Sequence, residues 1–353
     1  MNHKKTIIKS LVSLGKFMSQ FTSLTPIKSN KVLYNDVFFE GFKNQLKLAS
    51  ENNGWYTKSN LCYAMKQWSK LLQNDPLKSW LEPYSTPTTN PKTVAVVMPG
   101  NIPLVGFHDF ISVLASGHEI LVKQSSKDLH IIPYLANYLL YLTPGLKSKI
   151  RFTNKKLKKF DAVIATGSDN TAKYFELYFK NKPSIIRKNR NSIAILNGSE
   201  SKIELESLAE DIFRYYGLGC RSVSKLFIPR NYDFDKFFNA IYNWCHIMDS
   251  KKYANNYDYN KAVYLMSEFD FIENGFLMLK KDTNYASPIA TLFYEFYDDL
   301  EILKQSIKTN VSKIQCVVSK DFIENEIKFG NTQCPSLDDY ADDIDTVNFL
   351  LKI

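Results

Sequence analysis

Thr93-Val94-Ala95-Val96-Val97-Met98-Pro99-Gly100-Asn101-Ile102-Pro103 is the stretch on which the fold turns. Its first six residues are apolar and largely β-branched, the composition of a strand covered on both faces. The run stops at Pro99-Gly100, and an apolar, helix-like stretch follows from about Pro103 to Ala115. Gly117 closes that stretch, and Ile120 to Lys123 is the next strand. Lys127 to Thr143 then reads as helical, Lys149 to Thr153 as extended, and Asp161 to Thr166 as a buried strand ending at Gly167-Ser168. Strands separated by helical segments predict a parallel, doubly wound α/β sheet. Ligands of such sheets sit beyond the carboxyl ends of the strands. Asn101, Lys123 and the Gly167-Ser168 turn all fall at such ends.

Toward the carboxy terminus the alternation continues. Ser192 to Leu196 reads as a strand, Ile203 to Tyr216 as a helix, and Val223 to Pro229 as another strand. Asp233 to Met248 and Ala254 to Met266 read as helical; Gly275 to Leu279, Ala290 to Tyr297 and Lys313 to Val318 read as extended. Toward the amino terminus, residues 1 to about 90 are helical with aromatic-rich faces, and they close in the turn-rich Pro83 to Pro91 linker. The basic first segment carries Ile7, Ile8, Leu11, Leu14, Phe17, Met18 and Phe21, but Lys9 and Lys16 interrupt any signal-type apolar core. We read it as a docked amphipathic helix. The expected division is a helical segment over 1–90, a first α/β lobe over 91–200, a second over 201–332, and a tail over 333–353.

The chain has 353 residues, enough for two or three domains, and an ordinary globular composition with 44% hydrophobic residues. No run reaches the ~20 apolar residues that a membrane span needs. The net charge of +9 raises the question of nucleic acid. Lysine is spread along the whole chain, however, and the one cluster, Lys155, Lys156, Lys158 and Lys159, reads as a solvated loop before a strand. No nucleic-acid partner is expected, while the excess positive charge suits an anionic cofactor or substrate. The five cysteines, at 62, 220, 245, 316 and 334, are odd in number and irregular in spacing. They support neither a disulfide framework nor a metal site, and they suggest a reducing, cytoplasmic compartment. Cys245 and His246 are adjacent and point apart on a helix, so no metal is expected.

Cys220 is the residue with chemical promise. It stands in Tyr216-Gly217-Leu218-Gly219-Cys220-Arg221-Ser222, immediately before a strand. The glycines allow close approach of a ligand to the backbone, and a cysteine there reads as a presented nucleophile. A buried structural cysteine is the competing reading, since this residue type is among the most often buried. Asn101 and Ser168 can each be helix caps, and Lys123 a surface charge.

Four segments together decide between these readings. Val97-Met98-Pro99-Gly100-Asn101-Ile102-Pro103, Ala115-Ser116-Gly117-His118-Glu119-Ile120-Leu121-Val122-Lys123, Ala165-Thr166-Gly167-Ser168 and Gly217-Leu218-Gly219-Cys220 occur in the order and rough spacing of the aldehyde dehydrogenase superfamily. The chain resembles most closely the acyl-CoA reductases that supply fatty aldehyde in bacterial bioluminescence, through Arg187 to Ala194, Gly219 to Lys225, Gln333-Cys334-Pro335 and Asp339 to Thr346. The resemblance covers about residues 90 to 350. It implies an aldehyde-dehydrogenase-like fold, with a Rossmann-type cofactor domain and a second α/β catalytic domain.

Carried over position by position, the resemblance makes Cys220 the acyl-accepting nucleophile and Asn101 a donor to the oxyanion. Lys123 matches the lysine that contacts the adenosine ribose, and Gly167 with Ser168 matches the turn beside the cofactor pyrophosphate. The implied reaction is NADPH-dependent reduction of a long-chain acyl-CoA to an aldehyde. An acyl-transferring protein partner and a homo-oligomer are also compatible with it. No Gly-x-Gly-x-x-Gly fingerprint is present, so the cofactor assignment rests on the resemblance. One departure matters. Aligning Asn191-Ser192-Ile193 with the superfamily's Lys-Ser-Pro puts Arg187 where hydrolytic members have a water-activating glutamate, and losing a general base costs ~10²–10⁴ in rate. Arg221 is a candidate to favour the thiolate, and His246 is either a proton donor or an ordinary helix residue. The competing function is a catalytically inactive scaffold that binds acyl-CoA or a partner.

Overall fold

The computed structural model describes residues 2–353. The chain forms two compact units, Met1–Lys188 with Ser336–Ile353, and Asn189–Pro335.

The first unit begins with four helices, α1 (Asn2–Met18), α2 (Asn35–Asn52), α3 (Lys58–Leu71) and α4 (Asn74–Leu81). Leu11, Leu14, Phe17 and Met18 of α1 are fully buried, so the amphipathic pattern of the first segment is spent inside this unit. Phe17 stacks on Tyr138 at 4.3 Å between ring centroids, and Phe21 meets Phe42 edge-on at 4.8 Å.

The sheet of this unit consists of β1 (Thr93–Val97), β2 (Glu119–Lys123), β3 (Ile150–Thr153), β4 (Ala162–Thr166) and β5 (Ser184–Arg187). They are parallel and lie in the order β3-β2-β1-β4-β5. Helices α5 (Phe107–Ser116), α6 (Ile131–Leu142) and α7 (Asp169–Phe179) make the crossovers. The order reverses between β1 and β4, which fixes the topological switch point at the ends of those two strands. Gly117, at φ +92°, terminates α5; a Cβ there would stand 2.6 Å from that of Pro87. His118 then locks the returning chain. Its Nδ1 accepts from the Lys92 backbone N–H at 3.0 Å, so its Nε2 carries the proton and donates to the Leu350 carbonyl at 2.6 Å. That carbonyl belongs to α12 (Thr346–Lys352), so the tail expected over 333–353 is divided: Ser336–Ile353 is an integral part of this unit, while residues 333–335 belong to the second.

The second unit is built on β6 (Asn191–Ile195), β7 (Val223–Pro229), β8 (Phe271–Glu273), β9 (Met278–Lys281), β10 (Thr291–Tyr297) and β11 (Ile314–Val318), in the order β11-β6-β7-β10-β9-β8. All neighbours are parallel except β8 with β9. Its helices are α8 (Lys202–Phe213), α9 (Phe234–Ile241), α10 (Lys251–Met266) and α11 (Leu300–Thr309). The expected lobe boundary near residue 200 lies inside this unit, because β6 pairs with β7 and β11 and so belongs to the second sheet.

Two expected helices differ from the structure. The one expected to run to Tyr216 ends at Phe213, and Tyr215, Tyr216 and Gly217 follow in succession at φ of 56°, 60° and 71°. Tyrosine rarely adopts this left-handed backbone, which costs ~1–3 kcal/mol per residue, so sequence periodicity gives no warning of it. The helix expected over Asp233 to Met248 stops at Ile241 and continues as the 3₁₀ segment Tyr242–Asp249.

Candidate active site

Three groups singled out in the sequence stand at the carboxyl edge of the first sheet. Asn101 follows β1 in a loop braced from below. Asn53 Nδ2 donates to the Gly100 carbonyl at 2.9 Å, and the Tyr56 hydroxyl donates to the Ile102 carbonyl at 2.9 Å. Gly100 packs so closely on Ser125 that a Cβ would lie 2.8 Å from its Oγ. Lys123 ends β2, and its Nζ donates to the carbonyls of Asn154 at 3.2 Å and Lys155 at 3.0 Å. Two of its three donors thus hold the loop after β3. Gly167 and Ser168 follow β4. A Cβ at Gly167 would come within 2.9 Å of Thr171, and Ser168 caps α7, its Oγ accepting from the Thr171 backbone N–H at 3.4 Å. Capping leaves room for a phosphate, since the Ser168 cap uses only the Thr171 N–H among the unsatisfied N–H groups of the helix start.

Asp128, beneath the Asn101 loop, was not foreseen. It is 5% exposed, and burial raises its carboxyl to about 6. The Tyr56 hydroxyl reaches Asp128 Oδ2 at 3.1 Å as well as the Ile102 carbonyl, with only one proton to give. Below about pH 6, where Asp128 is protonated, its own proton can make the second of these bonds. Its folded pKa lies above the ordinary 3.8, so the stability it contributes is fully present below pH 3.8 and is lost as pH rises through about 6. The loss amounts to ~3 kcal/mol at most. Urea titrations at pH 4.5 and 7.5 should show this decline in the native chain and not in Asp128→Asn; equal declines would assign the titration elsewhere.

Arg187, at the end of β5, is buried. Its Nη1 lies 2.5 Å from Asp109 Oδ2 on α5, and its Nη2 donates to Thr346 Oγ1 at 3.1 Å. The position where the resemblance puts a water-activating base in hydrolytic relatives therefore holds a cation committed to a structural ion pair. A lone acid within the apolar run Phe107 to Ala115 was the sequence signal for this pair.

In the second unit, Cys220 is exposed on the turn between the left-handed residues and β7. The buried-cysteine reading is thereby excluded. The turn closes through the Ser222 N–H, which donates to the Gly219 carbonyl at 2.9 Å. Fully buried Ser192 donates through its Oγ to the Cys220 carbonyl at 3.0 Å. Beside these residues the pairing of β6 and β7 slips between Ser192 and Ile193, a bulge that aims the chain away from regular strand direction. A cavity of about 250 Å³ lies behind the turn, lined among others by Gly217, Gly219, Ser224 and Thr291. Arg221 directs its Nε to the Thr332 carbonyl at 2.5 Å. His246 is exposed, bonds the Asn243 carbonyl of its own turn at 2.9 Å and stacks on Trp244, as an ordinary helical histidine does.

Among the described residues no cluster of His, Cys, Asp or Glu has the arrangement of a metal site, and no helix is long and apolar enough to cross a membrane.

Known proteins share this architecture. The P. syringae indole-3-acetaldehyde dehydrogenase AldA superposes with a TM-score of 0.64 at 13% identity, over 89% of this chain and 72% of that one. Aldehyde dehydrogenase 21 of Physcomitrella patens gives 0.67 at 10% identity, over 99% of this chain and 87% of the other. A putative aldehyde dehydrogenase of Anabaena variabilis gives 0.59 at 14% identity, over 91% and 80%. The chain has the aldehyde dehydrogenase fold. No curated protein sequence matches it. The family model described as acyl-CoA reductase (LuxC) matches residues 54–243, a stretch that includes Asn101, Lys123, Gly167, Ser168, Arg187 and Cys220. By that match over more than half its length, the chain belongs to the LuxC family of acyl-CoA reductases.

Proposed function

We propose that the chain reduces an acyl-CoA thioester to an aldehyde and CoA by way of an acyl group held on Cys220, with a nicotinamide, NADPH, as reductant. The observation that carries this reading is an exposed cysteine on a braced, strained turn inside the family-matched stretch. The fold's relatives include dehydrogenases solved with NAD+. The carboxyl edge of the first sheet suits such a cofactor: Gly167 lets the turn after β4 pack closely on Thr171, and α7 begins just beyond it with its cap at Ser168. Lys123 would meet the adenosine ribose with its remaining donor.

The chain's own groups then act in order. The Cys220 thiolate adds to the thioester carbon, and the carbon–sulfur bond to CoA breaks, CoA leaving as a thiolate that takes up a proton. By the resemblance, the oxyanion formed on the way would be served by the Cys220 backbone N–H and the Asn101 amide, donors of a kind worth about 2.7–4 kcal/mol each. The bound nicotinamide supplies the hydride. The thiohemiacetal so formed on Cys220 then releases aldehyde and restores the thiolate. By the resemblance, Arg187 occupies the position of the water-activating glutamate and, in its ion pair, supplies no base there, which favours reduction of the acyl group over its hydrolysis.

Intact-protein mass spectrometry tests this. Mixing the chain with a long-chain acyl-CoA should add one acyl group, mapped to Cys220 and discharged as aldehyde by NADPH, with NADH the slower reductant. A folded chain that takes no acyl group at any chain length would instead leave a binding scaffold.

A further inference from the structure

Beyond the family-matched stretch, the segment from Gly330 to Cys334 is held by one buried carboxylate. Asp211, in the last turn of α8 and 0% exposed, receives three hydrogen bonds from it. The Gly330 N–H donates to Oδ2 at 2.6 Å, while the Thr332 N–H and hydroxyl donate to Oδ1 at 2.9 and 2.8 Å. Ser207, one turn earlier on the same helix face, underlies Gly330: that glycine is at φ +83°, and a Cβ there would stand 3.1 Å from the Ser207 Cβ. The segment's other side faces the nucleophile turn. The Thr332 carbonyl accepts from Arg221 Nε at 2.5 Å, and Gln333 Nε2 donates to Ser222 Oγ at 3.3 Å. Asp211, Ser222, Thr332 and Gln333 are all buried.

From this arrangement we infer that Asp211 is a positioning residue for the proposed reaction, acting on Cys220 through the 330–334 strap. The two residues that follow the nucleophile lean on a strap whose own place is set by Asp211. Ser192 holds the Cys220 carbonyl from the opposite side of the sequence, so the turn is gripped at the cysteine and just after it. A nucleophile misplaced by about 1 Å can lose ~10²-fold in rate, so slack in the strap reaches the chemistry without any contact between Asp211 and substrate.

The inference rests on the proposed acyl transfer, and two probes keep the two separable. Acylation by a long-chain acyl-CoA reads the reaction, and alkylation of Cys220 by iodoacetamide reads the turn. Asp211→Asn puts an amide N–H against one of the strap donors, and Thr332→Val removes the hydroxyl alone. Both should slow acylation at saturating acyl-CoA, by ~10–100-fold and ~3–10-fold, with the half-saturating concentration unchanged and the alkylation rate altered in parallel. Thr332→Ser keeps every donor and should retain the native rate. Leu303→Ala, in the core cluster with Ile193 and Phe227, destabilises the same unit away from the strap and should leave the rate at saturation unchanged. Native rates in folded Asp211→Asn and Thr332→Val, or an equal loss in Leu303→Ala, would overturn the inference. If the native chain takes no acyl group, the function reading fails, and the alkylation rates still decide whether the strap governs the turn.

Discussion

Cys220→Ala should lower aldehyde formation from acyl-CoA by at least ~10⁴-fold, the scale on which removing a covalent nucleophile acts when the rest of a site is intact. The side chain is exposed, so its loss creates no core cavity and the folding stability should stay within ~0.5 kcal/mol of the native value. Activity and folding therefore separate cleanly at this position. Cys220→Ser should be nearly as inactive, because a serine hydroxyl is far less acidic and less nucleophilic than a thiol. Cys245 and Cys334 are the other exposed cysteines of the same unit, and they provide the internal control. Alanine at either should leave the acyl adduct in place. An adduct that survives Cys220→Ala and maps to Cys334 would transfer the nucleophile's role to the strap.

How much of this was legible beforehand follows the physics of each signal. The β-branched apolar runs gave β1, β2, β4, β6, β7 and β10 near their observed positions, because strands covered on both faces leave no polar alternation to confuse the reading. β5 and β8 escaped. Ser184–Arg187 ends in a charged residue and follows Pro183, and Phe271–Glu273 is three residues long and half exposed. Tyr215 and Tyr216 read as helix because nothing in a tyrosine side chain announces a left-handed backbone; that conformation is imposed by what surrounds it. At the site, the resemblance named residues that face a ligand. It was silent on Asp109, Asp128 and Asp211, whose work is to hold other groups. Each is an acid whose buried neighbours come from distant parts of the chain, and only the fold brings those partners to it.

The pair formed by Asp109 and Arg187 is where that silence has the largest energetic consequence. Asp109→Ala should destabilise the first unit by about 3–5 kcal/mol, because it strands a guanidinium that is 8% exposed in a region closed to water. For a unit of this size that corresponds to a midpoint lower by roughly 10 °C. Arg187→Met should cost a similar amount by stranding the acid. Removing both charges together, in Asp109→Leu with Arg187→Met, should cost far less than the sum, since apolar replacements of buried ion pairs are often neutral. Additive losses in that cycle would show that the two groups act independently. The same geometry makes Arg187→Glu a poor way to seek hydrolysis of the acyl group. It would set two carboxylates against each other in a buried site, and unfolding would hide any gain in water activation. The double apolar variant asks the question without that penalty. If the arginine's part is to fill the place of a base with an inert ion pair, the acyl-enzyme of the double variant should resist water as long as the native one does. Faster hydrolysis in it would mean that Arg187 itself had been keeping water out.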